Sequence, residues 1–447
     1  MTAALRRSVS SLTIPNYRRY FTGQVISLTG NWMQMVAEVW LVVQLTDSGI
    51  AVGVTAALQF VPMLLFGAYG GVIADRRDKR HLLMLTQALM GFPALVLFAL
   101  SLAGVVAPWM IFVLVLCRGA VNAVDNPARQ AFVMELVGPE RIVNAVSLNA
   151  VLPQAARIVG PALAGIIIAA TSVTPCFALN ALSFAAMLIA LRMMDPSQLQ
   201  PTPLARRASG QVRAAVAEVR RRPELRIPLI MMIVIGTLCF NFQVLLPLFA
   251  RFTFHGTATT YALLTSAMAV GSLAGALLSG SRKHATPRLL VVSALLFGVT
   301  QLLAAAMPSA ETQMLALVPL GAASVTFVAG VNSSLQLGSA GELRGRVMAL
   351  FSVVFLGSTP IGAPPIGWLA EVAGPRSGLV VGGIAALAAA LWAHAAFARA
   401  KLDGPFGPPS ERVVAPLPAP SVARPAGAKE RPLTGAGAGA ELGRVAS

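Results

Sequence analysis

The sequence predicts an all-α membrane protein in which 12 helices cross the bilayer. Three observations predict this class: an apolar composition, a series of apolar segments of bilayer length, and basic residues confined to alternate gaps between those segments. Of the 447 residues, 56% are hydrophobic and 11% are charged, whereas soluble domains carry about 25% charged residues. So low a share of charge argues against an ordinary soluble globule.

The apolar segments have the length of a spanning helix, which needs about 20 residues to cross about 30 Å of hydrocarbon. Six spans are predicted in each half of the chain. The first six are residues 20–45, 52–74, 82–105, 108–126, 145–170 and 176–194. The second six are residues 227–250, 261–280, 289–307, 312–335, 347–370 and 378–398.

The distribution of Lys and Arg predicts the orientation, because these residues are retained on the cytoplasmic side of short loops. With a cytoplasmic N-terminus, every basic cluster between the predicted spans falls inside, and only Arg251 and Arg376 fall outside. Both termini are therefore predicted to be cytoplasmic. The formal net charge of +17 then belongs beside anionic headgroups, so no nucleic-acid partner is expected.

The chain divides into five parts by composition. They are a cytoplasmic N-terminus (1–19), an N-terminal six-helix bundle (20–194), a basic cytoplasmic linker (195–226), a C-terminal six-helix bundle (227–399) and a disordered cytoplasmic tail (400–447). The linker contains an Arg-rich helix near 211–222, which either lies on the membrane surface or is solvated. The tail is rich in Pro, Ala and Gly and has little apolar area to bury.

Internal repetition indicates that the two bundles are pseudo-symmetric. Residues 71–76 resemble 275–282, and residues 140–141 resemble 342–346, as diverged repeats separated by about 200 residues. Paired halves of this kind place a binding site between them near the middle of the membrane.

The motifs of soluble enzymes are missing from the sequence. No Gly-x-x-x-x-Gly-Lys-Ser/Thr segment occurs, so the proton gradient and not ATP is the expected energy source, without a cofactor. Cys117, Cys176 and Cys239 show no paired spacing, and no cluster of Cys and His predicts a metal site.

The loop after the second predicted span carries a glycine, an aspartate and a run of basic residues. It reads Gly71-Val72-Ile73-Ala74-Asp75-Arg76-Arg77-Asp78-Lys79-Arg80. This segment resembles the signature loop of the major facilitator superfamily, Gly-x-x-x-Asp-Arg-x-Gly-Arg-Arg, with Asp78 and Lys79 as departures. With Trp32-Met-Gln-Met, Asp125 to Gln130 and Arg157 to Pro161, it resembles the drug/proton antiporter branch that contains macrolide pumps and enterobactin exporters, the transmembrane secretion effector family.

The resemblance implies that the loop acts as a gating latch built from Gly71, Asp75, Arg76, Lys79 and Asp125. Gly71 would allow close helix approach, and Asp75 would cap a neighbouring helix. In the family, the cation at the position of Lys79 pairs with an acid at the cytoplasmic end of the fourth span, where Asp125 stands, and the pair holds only in the outward-open state. The alternative is a tight basic turn without a gating role.

The fifth predicted span contains Gly160-Pro161-Ala162-Leu163-Ala164-Gly165. This segment resembles the antiporter motif Gly-Pro-x-x-Gly-Gly of the same superfamily, with Ala164 where a glycine is usual. Small residues allow backbones to touch, and proline bends a helix. Because the motif accompanies exporters more than importers, Gly160, Pro161 and Gly165 favour export; helix packing alone is the alternative.

Four ionisable side chains lie within the predicted spans, where each charge costs about 2.5–3.5 kcal/mol on insertion scales. They are Glu38, Arg118, Arg157 and Asp125. A carboxylate set between desolvation and a neighbouring cation can take up a proton on one side and release it on the other. Glu38 is therefore the proton-coupling candidate, with Arg118 or Arg157 as its counter-charge; a structural role for these three residues is the alternative.

Neutral polar side chains within the spans either line a cavity or join helices by hydrogen bonds. The cavity candidates are Asn31, Gln34, Gln154, Gln243 and Asn332. Gln34 lies one helical turn before Glu38, so the two side chains can share a face.

We therefore predict a secondary active transporter and not an enzyme. It would export an amphipathic small molecule, such as a drug, a siderophore or a lipophilic metabolite, by proton antiport and alternating access. The expected location is the cytoplasmic membrane of a bacterium, where the protein would be a multi-pass monomer. The alternatives are a proton-coupled importer of a small nutrient and, from another class, a non-transporting membrane protein that organises partners through its linker and tail.

Overall fold

The computed structural model describes residues 10–200, 211–280, 285–339, 341–402, 404 and 406. The helices before the linker are α1 (Pro15–Thr46), α2 (Gly49–Arg76), α3 (Lys79–Leu102), α4 (Pro108–Ala170) and α5 (Thr174–Arg192). The linker contains α6 (Gln211–Arg221). The helices after it are α7 (Pro223–Cys239), α8 (Phe242–Leu248), α9 (Ala258–Gly280), α10 (Pro287–Ala306), α11 (Ala310–Gly338), α12 (Gly341–Ala373) and α13 (Pro375–Arg399).

The all-helical membrane class is confirmed, because 10 helices in the described part of the chain are long and apolar enough to cross a membrane. Nine of the 12 predicted spans each match one helix to within about six residues, spans four and five both lie in α4, and span seven is divided between α7 and α8. The two numbers differ for two reasons. α4 contains two predicted spans, and α1, which is 32 residues long, carries too many polar residues to be among the 10.

The loop predicted between spans four and five is far shorter than expected, because helical residues extend from both sides up to a single break at Gly138. α4 is 63 residues long, and its only non-helical residue is Gly138, with φ 68° and ψ 177°. Glycine adopts a positive φ without strain. Pro139 follows, and proline suits the first position of a helix because its missing N–H has no helical partner there. Gly138 therefore divides α4 into a first arm, residues 108–137, and a second arm, residues 139–170.

The seventh predicted span is interrupted, which the sequence analysis did not foresee. α7 ends at Cys239 and α8 begins at Phe242. The Asn241 amide donates to the Thr237 carbonyl at 2.7 Å, and the Gln301 amide donates to the Cys239 carbonyl at 3.4 Å. Backbone groups at membrane depth need such replacement partners wherever a helix is broken.

Helix packing brings α1, α3, α4 and α5 together, and α2 packs against α4. After the linker, α9 and α10 pack against α11, while α13 packs against α7 and α10. Two large contacts, α2 with α12 and α4 with α9, join helices from opposite sides of the linker. The helices before the linker thus contact the helices after it mainly along two seams, α2 with α12 and α4 with α9.

The outer surface of the helices is apolar. Large side chains such as Phe92, Leu182 and Leu391 are 64%, 65% and 64% exposed. Soluble monomers rarely expose continuous apolar patches of this kind. The surface therefore matches contact with lipid chains.

The linker and the tail depart from expectation in one place. α6 confirms the helix predicted near 211–222, whereas residues 201–210 and 407–447 lie outside the described residues. Phe406 is buried, its N–H donates to the Ala285 carbonyl at 3.0 Å, and its ring centroid lies 6.1 Å from that of Phe397. Disorder from residue 400 onward is thus wrong at Phe406, because one aromatic ring has apolar area enough to anchor the chain.

Candidate transport site and gates

A buried ion pair joins α1 to the first arm of α4. Both oxygens of Glu38 accept from Arg118, at 2.7 Å from Nη1 and 2.6 Å from Nη2. The two residues are only 3% and 7% exposed. A two-pronged guanidinium–carboxylate contact is among the strongest hydrogen-bonded pairs in proteins. Of the two counter-charges that the sequence left open for Glu38, the structure places Arg118 against it and not Arg157.

A polar chain continues from this pair to α5. The Gln34 amide donates to Glu38 at 2.6 Å, and the Asn180 amide donates to the Gln34 oxygen at 2.5 Å. Gln34 is 1% exposed, so it belongs to this network and does not line an open cavity. The network therefore links α1, α4 and α5 through one charge pair and two polar side chains, Gln34 and Asn180.

Asp125 has other partners than the predicted latch cation. Its carboxylate accepts from Thr86 at 2.6 Å, from the Gln87 amide at 2.9 Å and from Nε of Arg129 at 2.9 Å. Arg129 lies one turn later on α4, an arrangement that favours an ion pair between the two side chains. Lys79 and Asp125 are thus not paired in this conformation, and their pairing in the outward-open state stays a prediction.

Lys79 instead pairs with Glu135, its ammonium lying 2.7 Å from a carboxylate oxygen. Both side chains are mostly buried, at the start of α3 and near the end of the first arm of α4. Glu135 lies beyond residue 126, the predicted end of the fourth span, so the hydropathy pattern does not single it out. Ten more residues of continuous helix place Glu135, and not Asp125, beside the loop.

The other residues of the predicted latch also occupy unexpected places. Asp78 and not Asp75 caps α3, since its side chain accepts from the His81 N–H at 2.7 Å. Asp75 is partly exposed and Arg76 is exposed, and neither makes an ion pair within the described part of the chain. The closest approach of α2 to α4 is at Gly70, where a Cβ would collide with the backbone of Ala123, next to the predicted Gly71.

The residues of the predicted antiporter motif lie on two helix contacts. Gly160 faces α1, where a Cβ would collide with Trp32 and with the Thr29 carbonyl. Gly165 faces α9, where a Cβ would meet Ala262, and its carbonyl accepts from the Thr259 hydroxyl at 3.2 Å. Pro161 is buried between them. These small residues let the second arm of α4 touch a helix on either side.

Arg157 lies one turn before Gly160, with its guanidinium 5.5 Å from the centroid of the Trp32 ring. Such a distance is within the range of a cation–π contact. No hydrogen bond or ion pair of Arg157 is found among the residues described. Arg157 is therefore separate from the Glu38–Arg118 pair.

The remaining cavity candidates are partly exposed, as a cavity lining would require. They are Asn31, Gln154, Gln243 and Asn332. Asn332 accepts from the Gln336 amide at 2.5 Å. Gln154 lies three residues before Arg157, so their side chains share a face of the second arm of α4.

An aromatic cluster lies at the break between α7 and α8. The Phe240 ring lies 5.2 Å from Phe297, 6.2 Å from Phe355 and 6.3 Å from Phe242, measured between centroids. Phe240 itself is partly exposed. Discontinuous membrane helices often flank binding sites, so this cluster offers an apolar wall beside irregular backbone.

One end of the molecule is closed where α2 begins. A carboxylate oxygen of Glu371 accepts from the Ser48 hydroxyl at 2.7 Å and from the Ile50 N–H at 3.1 Å. The backbones of Gly49 and Gly367 lie so close that a Cβ on either would collide with the carbonyl oxygen of the other. The positive-inside prediction makes this the extracellular end.

Known proteins resemble the chain in sequence. Macrolide efflux protein A of Streptococcus pyogenes is 23% identical over 76% of this chain and 86% of its own. Enterobactin exporter EntS of Citrobacter koseri is 26% identical over 83% and 89%. The staphyloferrin A transporter of Staphylococcus aureus is 24% identical over 57% of this chain and 64% of its own, so the match spans less than two thirds of that relative.

Solved structures resemble the chain in fold. A bacterial homologue of the human lysosomal transporter Spinster, in an inward-facing and unoccupied conformation, superposes with a TM-score of 0.67 at 13% identity, covering 86% of this chain and 98% of that one. The nucleoside transporter NupG superposes with a TM-score of 0.68 at 12% identity, covering 86% and 99%. At such low identity the likeness shows the fold alone.

Residues 7–426 match the family described as transmembrane secretion effector. This match covers most of the chain, and the efflux and export relatives agree with it. The family consists of transporters and not of enzymes. The chain belongs to the transmembrane secretion effector family of major facilitator transporters.

Proposed function

We propose that the protein exports an amphipathic small molecule across the bacterial cytoplasmic membrane in exchange for protons. The observation that carries this proposal is the buried pair of Glu38 and Arg118, 2.6 Å apart. An unpaired carboxylate at this depth would be strongly unfavourable. Arg118 offsets that cost only while it stays in contact with Glu38. We therefore assign proton coupling to this pair, inside the N-terminal bundle.

Proton uptake by Glu38 would remove one acceptor charge and loosen Arg118 from α1. The Gln34 amide, which donates to Glu38 at 2.6 Å, can keep its hydrogen bond to the carboxyl group in either state. α1 and α4 would then shift relative to each other. Return of the proton to the cytoplasm would restore the pair and reset the transporter.

Alternating access is proposed to occur along the seams between α2 and α12 and between α4 and α9. Closure at the end that contains Ser48 and Glu371 supports a conformation open toward the cytoplasm. With both termini cytoplasmic and six spans on each side of the linker, the two bundles would rock about these seams. Inward movement of one proton supplies about 2.3 kcal/mol per 100 mV.

The direction of transport is inferred from relatives and from the resemblance of the segment around Gly160 to an antiporter motif. The names of the relatives specify macrolide efflux, enterobactin export and staphyloferrin A transport. An amphipathic organic molecule is the substrate class that these names share. Drug, siderophore and metabolite export are three cases of this one proposal.

The test is transport in proteoliposomes with an imposed pH gradient, comparing the wild type with Glu38→Gln. The amide keeps the size of the side chain and cannot be ionised. We expect the variant to lose pH-driven transport and substrate-dependent proton movement by at least about a hundredfold, the scale at which a proton-transfer group typically contributes. Exchange of labelled substrate without a gradient should persist.

Glu311→Gln is the matched control, because Glu311 is an exposed carboxylate at the start of α11. It should transport like the wild type. Gradient-driven transport at the wild-type rate by Glu38→Gln would remove Glu38 from the mechanism. Uptake into cells that depends on the protein, without efflux, would support the importer instead.

A further inference from the structure

Arg157 lies at membrane depth and has no oppositely charged partner among the described residues. The other charged residues inside the helices of the N-terminal bundle cancel in pairs, Glu38 with Arg118 and Asp125 with Arg129. Among the described residues, the electrostatic contact found for Arg157 is with the face of Trp32, at 5.5 Å. A cation–π contact is weaker than the cost of placing a charge at the centre of a spanning helix.

The C-terminal bundle offers Arg157 no acid near the middle of the membrane. Its acidic residues are Glu311, Glu342 and Glu371, each within the first or last turn of a helix. Rocking of the two bundles would therefore not bring a carboxylate of this chain to Arg157. A molecule that binds between the two bundles would supply the counter-charge.

The surroundings of Arg157 indicate which molecule fits. The guanidinium lies on the flat Trp32 ring, and Gln154 precedes it by three residues on the same helix face. A guanidinium can hold a carboxylate through two parallel hydrogen bonds. The ring and the amide add an apolar surface and a hydrogen-bonding group beside that contact.

We propose that Arg157 binds an anionic oxygen group of the substrate, so that the exported class is a carboxylate-bearing amphiphile. The direction of transport in this inference rests on the proposed function. Binding of the anionic group to Arg157 does not depend on protons. Glu38 and Arg118 remain the coupling pair. Gly160 is part of the site because its missing Cβ allows the second arm of α4 to approach Trp32.

The test is equilibrium binding to purified protein in detergent, without any gradient. The probes are three fluorescent aromatic scaffolds, each prepared as the carboxylic acid, its methyl ester and a primary amine. We expect the wild type to bind the acids at least about tenfold more tightly than the esters, as expected for a buried charge pair. The amines should bind most weakly.

Variants at Arg157 separate recognition from folding. Arg157→Gln should lose the preference for acids while binding the esters as the wild type does, and Arg157→Lys should retain part of it. Trp32→Phe keeps an aromatic face and should weaken binding of all acids only moderately. Monodisperse gel filtration of each variant shows that it is folded.

Three results would overturn the proposal. They are equal binding of acids and esters by the wild type, a preference for the amines, and an equal loss of both acids and esters in Arg157→Gln. Failure of the exporter proposal has a different signature, since acids would then bind with the expected preference although proteoliposomes show no proton-driven transport.

A second and independent observation concerns a groove between α1 and α5 on the outer surface. Its volume is about 320 Å³, and its lining includes Arg18, Arg19, Thr22, Ile26, Ile189 and Met193. Arg18, Thr22 and Ile26 follow each other at four-residue intervals, so they form one stripe on α1, about 12 Å long at 1.5 Å per residue. The stripe runs from cation through hydroxyl to apolar side chain.

The same gradient of polarity is found in a phospholipid. Ile26, Ile189 and Met193 expose 44%, 59% and 61% of their surface, as expected for side chains that contact acyl chains. Basic pockets between helices on the cytoplasmic side suit anionic headgroups. We infer that this groove binds one anionic phospholipid, with its phosphate at Arg18 and Arg19 and an acyl chain along Ile26.

Native mass spectrometry of the purified protein with phosphatidylglycerol or phosphatidylcholine tests this inference. We expect preferential retention of phosphatidylglycerol, lost in the double variant Arg18→Gln/Arg19→Gln and also in Ala186→Trp, which fills the groove. Arg376→Gln, at the other end of the molecule, should retain the lipid. Equal retention of both lipids, or unchanged retention in the groove variants, would refute the site, and displacement by glycerol phosphate would assign it to a soluble phosphate.

Discussion

Lys79 and Glu135 join the first turn of α3 to the end of the first arm of α4 across 2.7 Å. Both residues belong to the N-terminal bundle. The contact is therefore internal to one bundle, and a rocking motion between bundles would not break it directly. Its strength instead determines how firmly the loop between α2 and α3 is held to α4.

We predict that Glu135→Gln lowers the stability of the protein, because it leaves the Lys79 ammonium largely buried without its partner. Loss of one member of a buried pair costs about 3–5 kcal/mol. The measurement is the apparent unfolding temperature in detergent, followed by fluorescence.

The double variant Lys79→Met/Glu135→Leu separates a latch from a structural pair. Apolar replacement of both members is often neutral for stability, so the unfolding temperature should recover. A slow transport rate in this stable variant would support a gating role, and a normal rate would restrict the pair to stability.

We predict that Gly160→Val impairs both stability and transport. A Cβ at residue 160 would collide with Trp32 and the Thr29 carbonyl, and overpacking of this kind costs about 1–3 kcal/mol. Gly345→Ala is the matched control, because nothing lies within 4 Å of a Cβ built there. Comparable loss of transport in both variants would contradict the close-packing role of Gly160.

We predict that Glu371→Ala opens the end of the molecule that contains Ser48. The variant removes an acceptor of two hydrogen bonds between α12 and the start of α2. Hydrogen bonds to a charged group contribute about 1.5–3 kcal/mol, so the ratio of open to closed molecules should rise about tenfold or more.

Distances between spin labels at residues 46 and 372 measure this opening, with Cys117, Cys176 and Cys239 replaced beforehand. Glu311→Ala removes an exposed carboxylate from the start of α11 and should leave the distance distribution unchanged. The gating role of Glu371 would be refuted by identical distributions for wild type and Glu371→Ala.

We predict that Asn241→Leu destabilises the break between α7 and α8. The Thr237 carbonyl would lose the amide that donates to it at 2.7 Å, and an unsatisfied buried group costs about 1–3 kcal/mol. Hydrogen exchange of residues 235–248 should accelerate. Gln336→Leu, at an exposed position on α11, serves as the control, and unchanged exchange in Asn241→Leu would mean that water satisfies the carbonyl.

The membrane class followed from the sequence because hydrocarbon thickness imposes a length on every apolar segment. Turns and breaks depend on local backbone geometry that hydropathy does not report. Gly138 shows this: a single glycine with positive φ replaced the predicted loop of about 18 residues between spans four and five. The interruption at Phe240 escaped notice for the same reason, since the sequence stays apolar on both sides.

The sequence predicts the residues of the candidate site but leaves the partner of Glu38 open. Glu38 and Arg118 lie 80 positions apart, and only the packing of α1 against α4 selects Arg118 over Arg157. The family resemblance assigns Asp125 to Lys79 in the outward-open state, whereas in this conformation Lys79 pairs with Glu135. Pair assignments across helices require the rotation of each helix about its axis, and a single sequence contains that information only weakly.

The contact between Gly49 and Gly367 has a consequence for the speed of the transport cycle. Where two backbones form the seal, no rotamers have to be fixed when it closes, and burial of a flexible side chain would otherwise cost up to about 2 kcal/mol in entropy. Few atoms have to rearrange when the contact between Gly49 and Gly367 separates. A contact between two backbones can therefore close tightly and still separate quickly. This would suit a transporter that opens and closes once for every molecule it moves.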